Sequence, residues 1–311
     1  MEPKVRVAVV GVGHLGQHHA RLLAAMEDVE LVGVVDTKPG RAEEIAAKFG
    51  GQAFTDAAAI LGRVDAVSVA VPTESHLPVA MPFIERGVPV LVEKPLAPSL
   101  VDADRLIEAA ERRGVLLAAG HTERFNPAVA VALPLVSNPR FIEVHRLGTF
   151  PERSLDIDVI FDLMIHDLDL LLASVGSPVA SIEAVGVHVL TPRTDIANVR
   201  LRFESGCIAN LTASRISRDR VRKARFFQHD SYVSIDFASQ EVEVYRLVPG
   251  EGRPVIQGGK LDVAQDEPLR CELRDFVDAV RSGRPPRVSA QAGREALALA
   301  TRIAGMMESG T

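Results

Sequence analysis

Two hydrophobic periods alternate along the first part of the chain, and after residue 121 one of them takes over. Short apolar runs at Val5–Val10, Leu31–Val35, near Ala53, Ala66–Val71, Val88–Glu93 and Val115–Gly120 alternate with stretches of helical period at His18–Met26, Arg41–Phe49, Asp56–Leu61, Ser75–Arg86 and Ser99–Arg113. Runs that are apolar on both faces and separated by helices predict parallel strands covered on both sides, here a doubly wound sheet of six strands. Then the alternation stops. Arg140–Phe150 reads as a strand and Asp158–Val175 as a helix. Val179–Leu190, Ala197–Phe203, Cys207–Ser214, Ala224–Gln228, Tyr232–Phe237 and Glu241–Leu247 read as successive strands, with helices again at Leu269–Arg281 and Ala290–Met307. This pattern predicts an α+β second domain on a large, open, mostly antiparallel sheet, with Pro249–Gly259 as a surface loop. The domains are expected at 1–122 and 123–311.

The first strand runs into G-V-G-H-L-G, with Gly11, Gly13, His14, Leu15 and Gly16 leading into the first helix. In such a turn the first glycine allows the reversal, the second lets a pyrophosphate approach backbone N–H groups, and the third lets the helix pack closely on the strand. The helix N-terminus then faces the phosphates. A glycine turn alone is a weak signal. Here the second strand ends in Asp36-Thr37, with Asp36 20 residues past Gly16, the spacing at which a carboxylate meets the adenosine ribose hydroxyls. The first domain therefore reads as a Rossmann dinucleotide-binding sheet. A carboxylate at this position favours NAD over NADP by repelling a 2′-phosphate, while Lys38 and Arg41 leave NADP open.

Ligands in such sheets lie beyond the carboxyl ends of the strands. After the fourth strand comes Val71-Pro72-Thr73-Glu-Ser-His76, where Val71, Pro72, Thr73 and His76 are candidate cofactor contacts, with helix capping as the alternative for Thr73 and His76. After the fifth comes Glu93-Lys94-Pro95, where Glu93 and Lys94 are candidate cofactor contacts. Of the 35 basic residues six are lysines, and Lys94 places a compact, titratable cation where the nicotinamide is expected. The alternative is an ion pair capping the sheet. After the sixth, His121-Thr-Glu123-Arg124-Phe-Asn126 is a polar cluster facing the crevice, read as substrate contacts or as a local ion pair. In the second domain, Asp162-Leu-Met-Ile-His166 places a carboxylate and an imidazole four residues apart, one helical turn, with Leu163, Leu170 and Leu171 as packing positions. An imidazole oriented by a carboxylate suits a general base that removes an alcohol proton as hydride leaves the same carbon. An ordinary surface pair is the plain alternative. A metal held by His166 and Asp169 would need further ligands that the sequence does not clearly offer, so none is expected.

The net charge of −6 gives no bulk attraction to nucleic acid or anionic lipid, which leaves a small-molecule partner. Cys207 and Cys271 lack ligand spacing and suit a reducing cytoplasm. No apolar run approaches a membrane span, and the first strand begins too early for a signal peptide, so a cytoplasmic protein is expected. The run Arg215, Arg218, Arg220, Arg222, Lys223 and Arg225 reads as a turn-like segment between two strands, mostly a solvated basic edge, with one or two arginines suited to a diphosphate.

Taken together, G-V-G-H-L-G, V-P-T-E-S-H, E-K-P and D-L-M-I-H-D-L-D resemble, in order and spacing, the family of glucose-fructose oxidoreductase and inositol dehydrogenase, over the whole chain. The resemblance implies that Lys94, Asp162 and His166 form the catalytic group, that Lys94, His121, Glu123, Arg124, Asn126, Asp162 and His166 meet substrate, and that the protein is a homodimer or homotetramer. Many members carry glycine where this chain has Met164. Within the family, G-H-T-E-R-F-N-P-A, F-P-E-R-S-L-D-I-D-V and L-T-A-S-R are similar to the UDP-N-acetylglucosamine 3-dehydrogenase branch. The expected reaction is oxidation of a secondary sugar hydroxyl by NAD, with another sugar or polyol as the alternative substrate. A non-catalytic NAD sensor is the alternative of a different class.

Overall fold

The structure, a computed structural model, describes residues 3–150, 155–251 and 253–309. In chain order its elements are β1 (Val5–Val10), α1 (Gly16–Ala24), β2 (Val29–Val35), α2 (Pro39–Phe49), β3 (Gln52–Phe54), β4 (Ala66–Val69), α3 (His76–Ile84), β5 (Val90–Glu93), α4 (Leu100–Arg113), β6 (Leu117–Gly120), α5 (Pro127–Ala132) and β7 (Phe141–Leu147). A π-helical turn (Ile160–Met164) then runs into α6 (Ile165–Val175). After it come β8 (Val179–Val187), β9 (Ile196–Phe203), β10 (Ile208–Ser214), β11 (Val221–Phe227), β12 (Ser231–Asp236), β13 (Glu241–Val248), β14 (Val255–Leu261), α7 (Pro268–Ser282) and α8 (Ala290–Ser309). The described residues of Met1–His121 and Leu269–Arg294 form one compact unit, and those of Thr122–Pro268 and Glu295–Thr311 a second.

In the first unit six parallel strands lie in the order β3-β2-β1-β4-β5-β6, the doubly wound arrangement expected from the alternating periods. β4, β5 and β6 are buried at every position, which is why they read as continuous apolar runs rather than alternating ones. The expectation of a second domain running from 123 to the C-terminus meets a correction here, because the chain returns to the first unit over Leu269–Arg294. The reason is one apolar stripe: Leu273, Phe276 and Val277 of α7 are buried with Val7, Val9, Leu23 and Val34 of the sheet and its helices. Asp28 fastens the exposed side of α7, accepting from Arg274 and Arg281 at 2.7 Å each. Those guanidiniums hold the Asp28 carboxyl down at about 2.

The second unit is an eight-stranded sheet in the order β14-β13-β12-β11-β7-β10-β9-β8, antiparallel throughout except for the parallel pair β7 and β10. Alternation along β7 puts Ile142, Val144 and Arg146 on the buried face, where α6 and α8 add Ile165, Leu168, Leu171, Leu299 and Ile303 to one core. The segment expected as a loop, Pro249–Gly259, instead contributes most of β14, an exposed edge strand on β13. Its two glycines hide the strand pattern, yet Gly258 is required: at φ +150 a Cβ there would stand 1.9 Å from the Val244 carbonyl oxygen. No helix among the described residues is long and apolar enough to cross a membrane.

The chain between β8 and β9 is gathered by Asp195. This fully buried carboxylate accepts from the backbone N–H groups of Val189, Leu190 and Thr191 at 2.9, 2.7 and 2.9 Å and from the Thr191 hydroxyl at 2.7 Å. Burial alone would raise its pKa, but these donors bring it down to about 2. An unfolded aspartate titrates near 3.9, so the stabilisation is complete above about pH 4 and is lost as pH falls towards 2. Denaturant titrations at pH 5 and pH 2.5 should show an acid loss in the wild type that exceeds that of Asp195→Asn by about 2 kcal/mol, the other depressed carboxylates contributing equally to both.

Candidate active site

The glycine turn divides its labour as the fingerprint requires. Gly11 has φ +84 and a Cβ there would lie 2.7 Å from the Ala70 carbonyl oxygen, while a Cβ on Gly16 would fall 1.7 Å from the Gly11 carbonyl oxygen. Both are glycines because the protein itself leaves no room. At Gly13 a Cβ would meet no atom of the described residues within 4 Å, so the protein's own packing does not require glycine there. Beside it lies a cavity of about 760 Å³ whose wall includes Gly11, Gly13, Asp36, Thr37, Val71 and Pro72. Asp36 accepts the Val12 N–H at 3.2 Å through one carboxylate oxygen and the Lys38 N–H at 3.0 Å through the other. A carboxylate has about four acceptor positions, so each oxygen retains one for a ribose hydroxyl. Arg41 does not stand ready for a 2′-phosphate. Its guanidinium donates to the Val12 and Gly13 carbonyls at 2.8 and 3.3 Å, to Gln17 at 3.0 Å and to Glu44 at 2.8 Å. The residues present therefore fit a dinucleotide, and the ribose end fits NAD.

Around this cavity the other candidates separate. His14 and Leu15 are exposed at the start of α1, and Thr73 begins a single 3-10 turn without capping α3. His76 is buried, with its ring nitrogens 3.0 Å from the carbonyl oxygens of Val71 and Pro95. Burial lowers its pKa, so the neutral ring donates to one of them and braces the loop after β4 against the loop after β5. Lys94 is half-buried just beyond β5. Glu93 beneath it is buried and turned inward, accepting from His19 at 3.0 Å and from the Lys94 backbone N–H at 3.1 Å. His121 is fully buried at the end of the first unit.

In the second unit the polar cluster after β6 is held by partners far away in sequence. Arg146, only 4% exposed, donates to Asp167 at 2.9 and 2.7 Å and to Glu123 at 2.8 Å. Burial alone would lower the Arg146 pKa; the two carboxylates outweigh it and raise it. Arg124 reaches Asp169 at 3.3 Å, and Asn126 caps α5 by accepting the Ala128 N–H at 3.0 Å while donating to the Phe237 carbonyl at 3.0 Å. Glu123 and Arg124 are thus each ion-paired, but not to each other. Asp167 and Asp169 follow His166 on α6 by one and three residues, so the two arginines grip the first turns of the helix that carries it. Nothing in the sequence ranked Arg146 as functional; its one signal is a basic residue at an inward position of an apolar strand. His19, buried on the inner face of α1, left a similar trace.

Asp162 and His166 do not lie on one regular α-helical turn. Asp162 sits in the π-helical turn and His166 in the first turn of α6, so the wider turn offsets the four-residue spacing. Both side chains are half-buried. Met164 between them is fully buried in the core, which explains how a large side chain is accommodated there. The F-P-E-R-S-L-D-I-D-V stretch lies partly outside the described residues, at 151–154.

The basic run is not one turn-like segment, because β11 begins at Val221 and takes in Arg222, Lys223 and Arg225. Lys223 and Arg225 point to the open face and pair with Asp236 at 3.2 Å and Glu143 at 3.4 Å. Arg215 is buried 3.6 Å from Asp195, and Arg220 meets the Thr149 hydroxyl at 3.3 Å. Arg222 alternates with these onto the face of Ala224 and Phe226, where α6 packs, and its charge reaches Asp167. Among the described residues no group of three or more His, Cys, Asp or Glu could hold a metal.

Comparison with known proteins agrees with this geometry. Residues 5–121 match the model described as "Oxidoreductase family, NAD-binding Rossmann fold", and residues 140–231 match the GFO/IDH/MocA C-terminal domain. The chain is 40% identical over 96% of its length, and 96% of the relative's, to UDP-N-acetylglucosamine 3-dehydrogenase of Acidithiobacillus ferrooxidans. A solved structure of that enzyme superimposes with a TM-score of 0.93 over 99% of both chains. The NAD-dependent scyllo-inositol 2-dehydrogenase of Bacillus subtilis is 27% identical over 93% of this chain and 90% of its own. Levoglucosan dehydrogenase with NADH and levoglucosan, 18% identical, shares the fold with a TM-score of 0.89 over 99% of this chain and 98% of its own. The chain belongs to the GFO/IDH/MocA oxidoreductase family, with an NAD-binding Rossmann domain and the family's C-terminal domain.

Proposed function

We propose that this protein is an NAD-dependent dehydrogenase that oxidises the C3 hydroxyl of UDP-N-acetylglucosamine to the 3-keto sugar nucleotide. The observation that carries the reading is the 40% identity, over 96% of the chain, to an enzyme named for that reaction, in a chain that also carries Lys94, Asp162 and His166. In this reading His166 takes the hydroxyl proton, Asp162 orients the imidazole, and the Lys94 ammonium stabilises the alkoxide as it develops. NAD, when bound, supplies the hydride acceptor. Gly11, Gly13, Gly16, Asp36, Thr37, Val71 and Pro72 hold it, and Arg146 and Arg124 keep the His166 helix in place. His121, Glu123, Arg124 and Asn126 then serve the substrate side chiefly as scaffold, because three of the four are engaged in ion pairs or a cap.

On the open face of the second sheet, Phe141, Phe227, Tyr232 and Tyr245 form a ladder of rings with centroids 5.6, 5.2 and 6.2 Å apart. Leu247 and Ile256 near it are 52% and 72% exposed, an apolar face that fits a homodimer or homotetramer. The two cysteines form no disulfide, which fits a cytoplasmic enzyme.

Two sets of measurements test the reading. With NAD saturating, Lys94→Ala and His166→Ala should each lower kcat by about two orders of magnitude while NADH affinity, read by fluorescence, stays within about twofold. Asp162→Asn should lose less, and near-wild-type turnover in His166→Ala removes the base assignment. In the second set, UDP-N-acetylglucosamine should be oxidised in preference to N-acetylglucosamine and myo-inositol. Arg222→Ala should raise its KM about tenfold with little change in kcat, as expected of a diphosphate contact made equally in ground and transition states. A phosphate-free compound proving the better substrate would leave only the dehydrogenase.

A further inference from the structure

Beneath Lys94 lies a polar chain that neither cofactor binding nor proton removal uses. Glu93 ends β5 with its carboxylate buried, at 5% exposure, among apolar strands. One oxygen accepts the Lys94 backbone N–H at 3.1 Å; the other accepts Nε2–H of His19, on α1, at 3.0 Å. A carboxylate in this state can only accept, so the His19 Nε2 must donate. The other ring nitrogen of His19 lies 2.8 Å from the hydroxyl of Ser68 on β4, and His19 and Ser68 are both fully buried. Four neighbouring elements thus build this chain: β5 carries the carboxylate, α1 donates to it, β4 holds the donor's other nitrogen, and β6 leaves room for it. A Cβ at Gly120 would come within 3.2 Å of the Glu93 carboxyl carbon and Oε2.

Stranding a carboxylate in such a place costs several kcal/mol unless partners compensate. Burial pushes the Glu93 pKa up, and the His19 hydrogen bond and charge, with the charge and N–H of Lys94, more than reverse it. A glutamine or leucine would fill the same volume without that cost. A buried charge kept directly beside Lys94, at the nicotinamide end of the cofactor edge, serves the lysine.

We propose that Glu93, held by His19, which Ser68 holds in turn, is a positioning residue for Lys94: it fixes the main chain from which the lysine projects and supplies the buried negative charge that offsets its ammonium. The inference rests on Lys94 being catalytic, as proposed above. Without the carboxylate, Lys94 still reaches solvent and NAD still binds at the opposite, adenosine end of the sheet edge. What is lost is alignment at the moment of reaction, and a misplacement of about 1 Å is enough to cost tenfold to a hundredfold.

The test is a comparison of four variants with UDP-N-acetylglucosamine and saturating NAD. Glu93→Gln preserves volume and removes the charge. It should lower kcat by about tenfold or more while KM and the NADH dissociation constant stay within about twofold. His19→Gln, which keeps a neutral donor within reach of Glu93, should retain most of kcat, and His19→Leu, which keeps none, should fall as far as Glu93→Gln. Lys94→Ala separates this inference from the reading beneath it. If Lys94→Ala is inactive while Glu93→Gln turns over at the wild-type rate, the positioning role is wrong and the catalytic lysine stands. If Lys94→Ala turns over normally, the catalytic lysine itself is wrong. A loss in Glu93→Gln shared equally by kcat, KM and NADH affinity also overturns the inference, because general loosening of the fold would account for it. Should Glu93→Gln fail to fold, the His19 pair decides: equal kcat in His19→Gln and His19→Leu overturns the proposal.

Discussion

One guanidinium carries much of the second unit's polar architecture. Arg146 comes from an inward position of a central strand, and its two carboxylate partners come from a turn before α5 and from α6. Its planar fork matches Asp167 with two parallel hydrogen bonds and still has a donor for Glu123, an arrangement that lysine could not reproduce. Phe237 stacks on its face, 5.4 Å from ring centre to the guanidinium carbon. Buried ion groups of this kind contribute little net stability compared with apolar packing, but removing one member leaves uncompensated charge. Their effect is to allow one arrangement and penalise the rest. The arrangement allowed here is the one that sets α6, and with it His166, against the sheet.

The first unit was the more legible of the two, for a physical reason. A dinucleotide site of this kind is built from backbone: a reversal, a close helix approach and a strand-end carboxylate, each restricting residue type at a fixed offset. Gly11 and Gly16 therefore carry their steric roles in the chain itself, and the structure finds at each the close approach its type implies, while Asp36 sits at the strand end beside them. The second unit relies on pairings between residues that lie 23 or 45 positions apart, such as Arg146 with Glu123 and Arg124 with Asp169. The cluster Glu123-Arg124-Phe-Asn126 announces polar chemistry, but nothing local says that its partners sit on β7 and α6.

Two other features escaped for different reasons. A helix that pays back its apolar stripe to the first sheet looks, in sequence, like any amphipathic helix, so α7 could not be assigned to a unit by period alone. β14 was masked by glycines that its pairing requires, since Gly258 lies against the Val244 carbonyl. In both cases the local pattern was sound and the tertiary partner was the missing information. His19 and Ser68 belong with them, because a buried histidine in a helix and a serine in a strand gain meaning only when Glu93 is seen to join them.

The π-helical turn at Ile160–Met164 has a consequence for the spacing of the residues on either side of it. Such a turn holds one residue more than the α-helix it interrupts, and its persistence in a packed core means that the surrounding side chains have adapted to the surplus. Met164 and Ile160 are fully buried, so the extra residue cannot be expelled to the surface. Loss of a single residue between Asp162 and His166 would close their spacing from four residues to three and remove the wider turn, changing the offset at which the two side chains leave the helix. If Asp162 orients His166, as proposed, their spacing and the wider turn act together, and a one-residue insertion or deletion there should cost far more than on a surface helix.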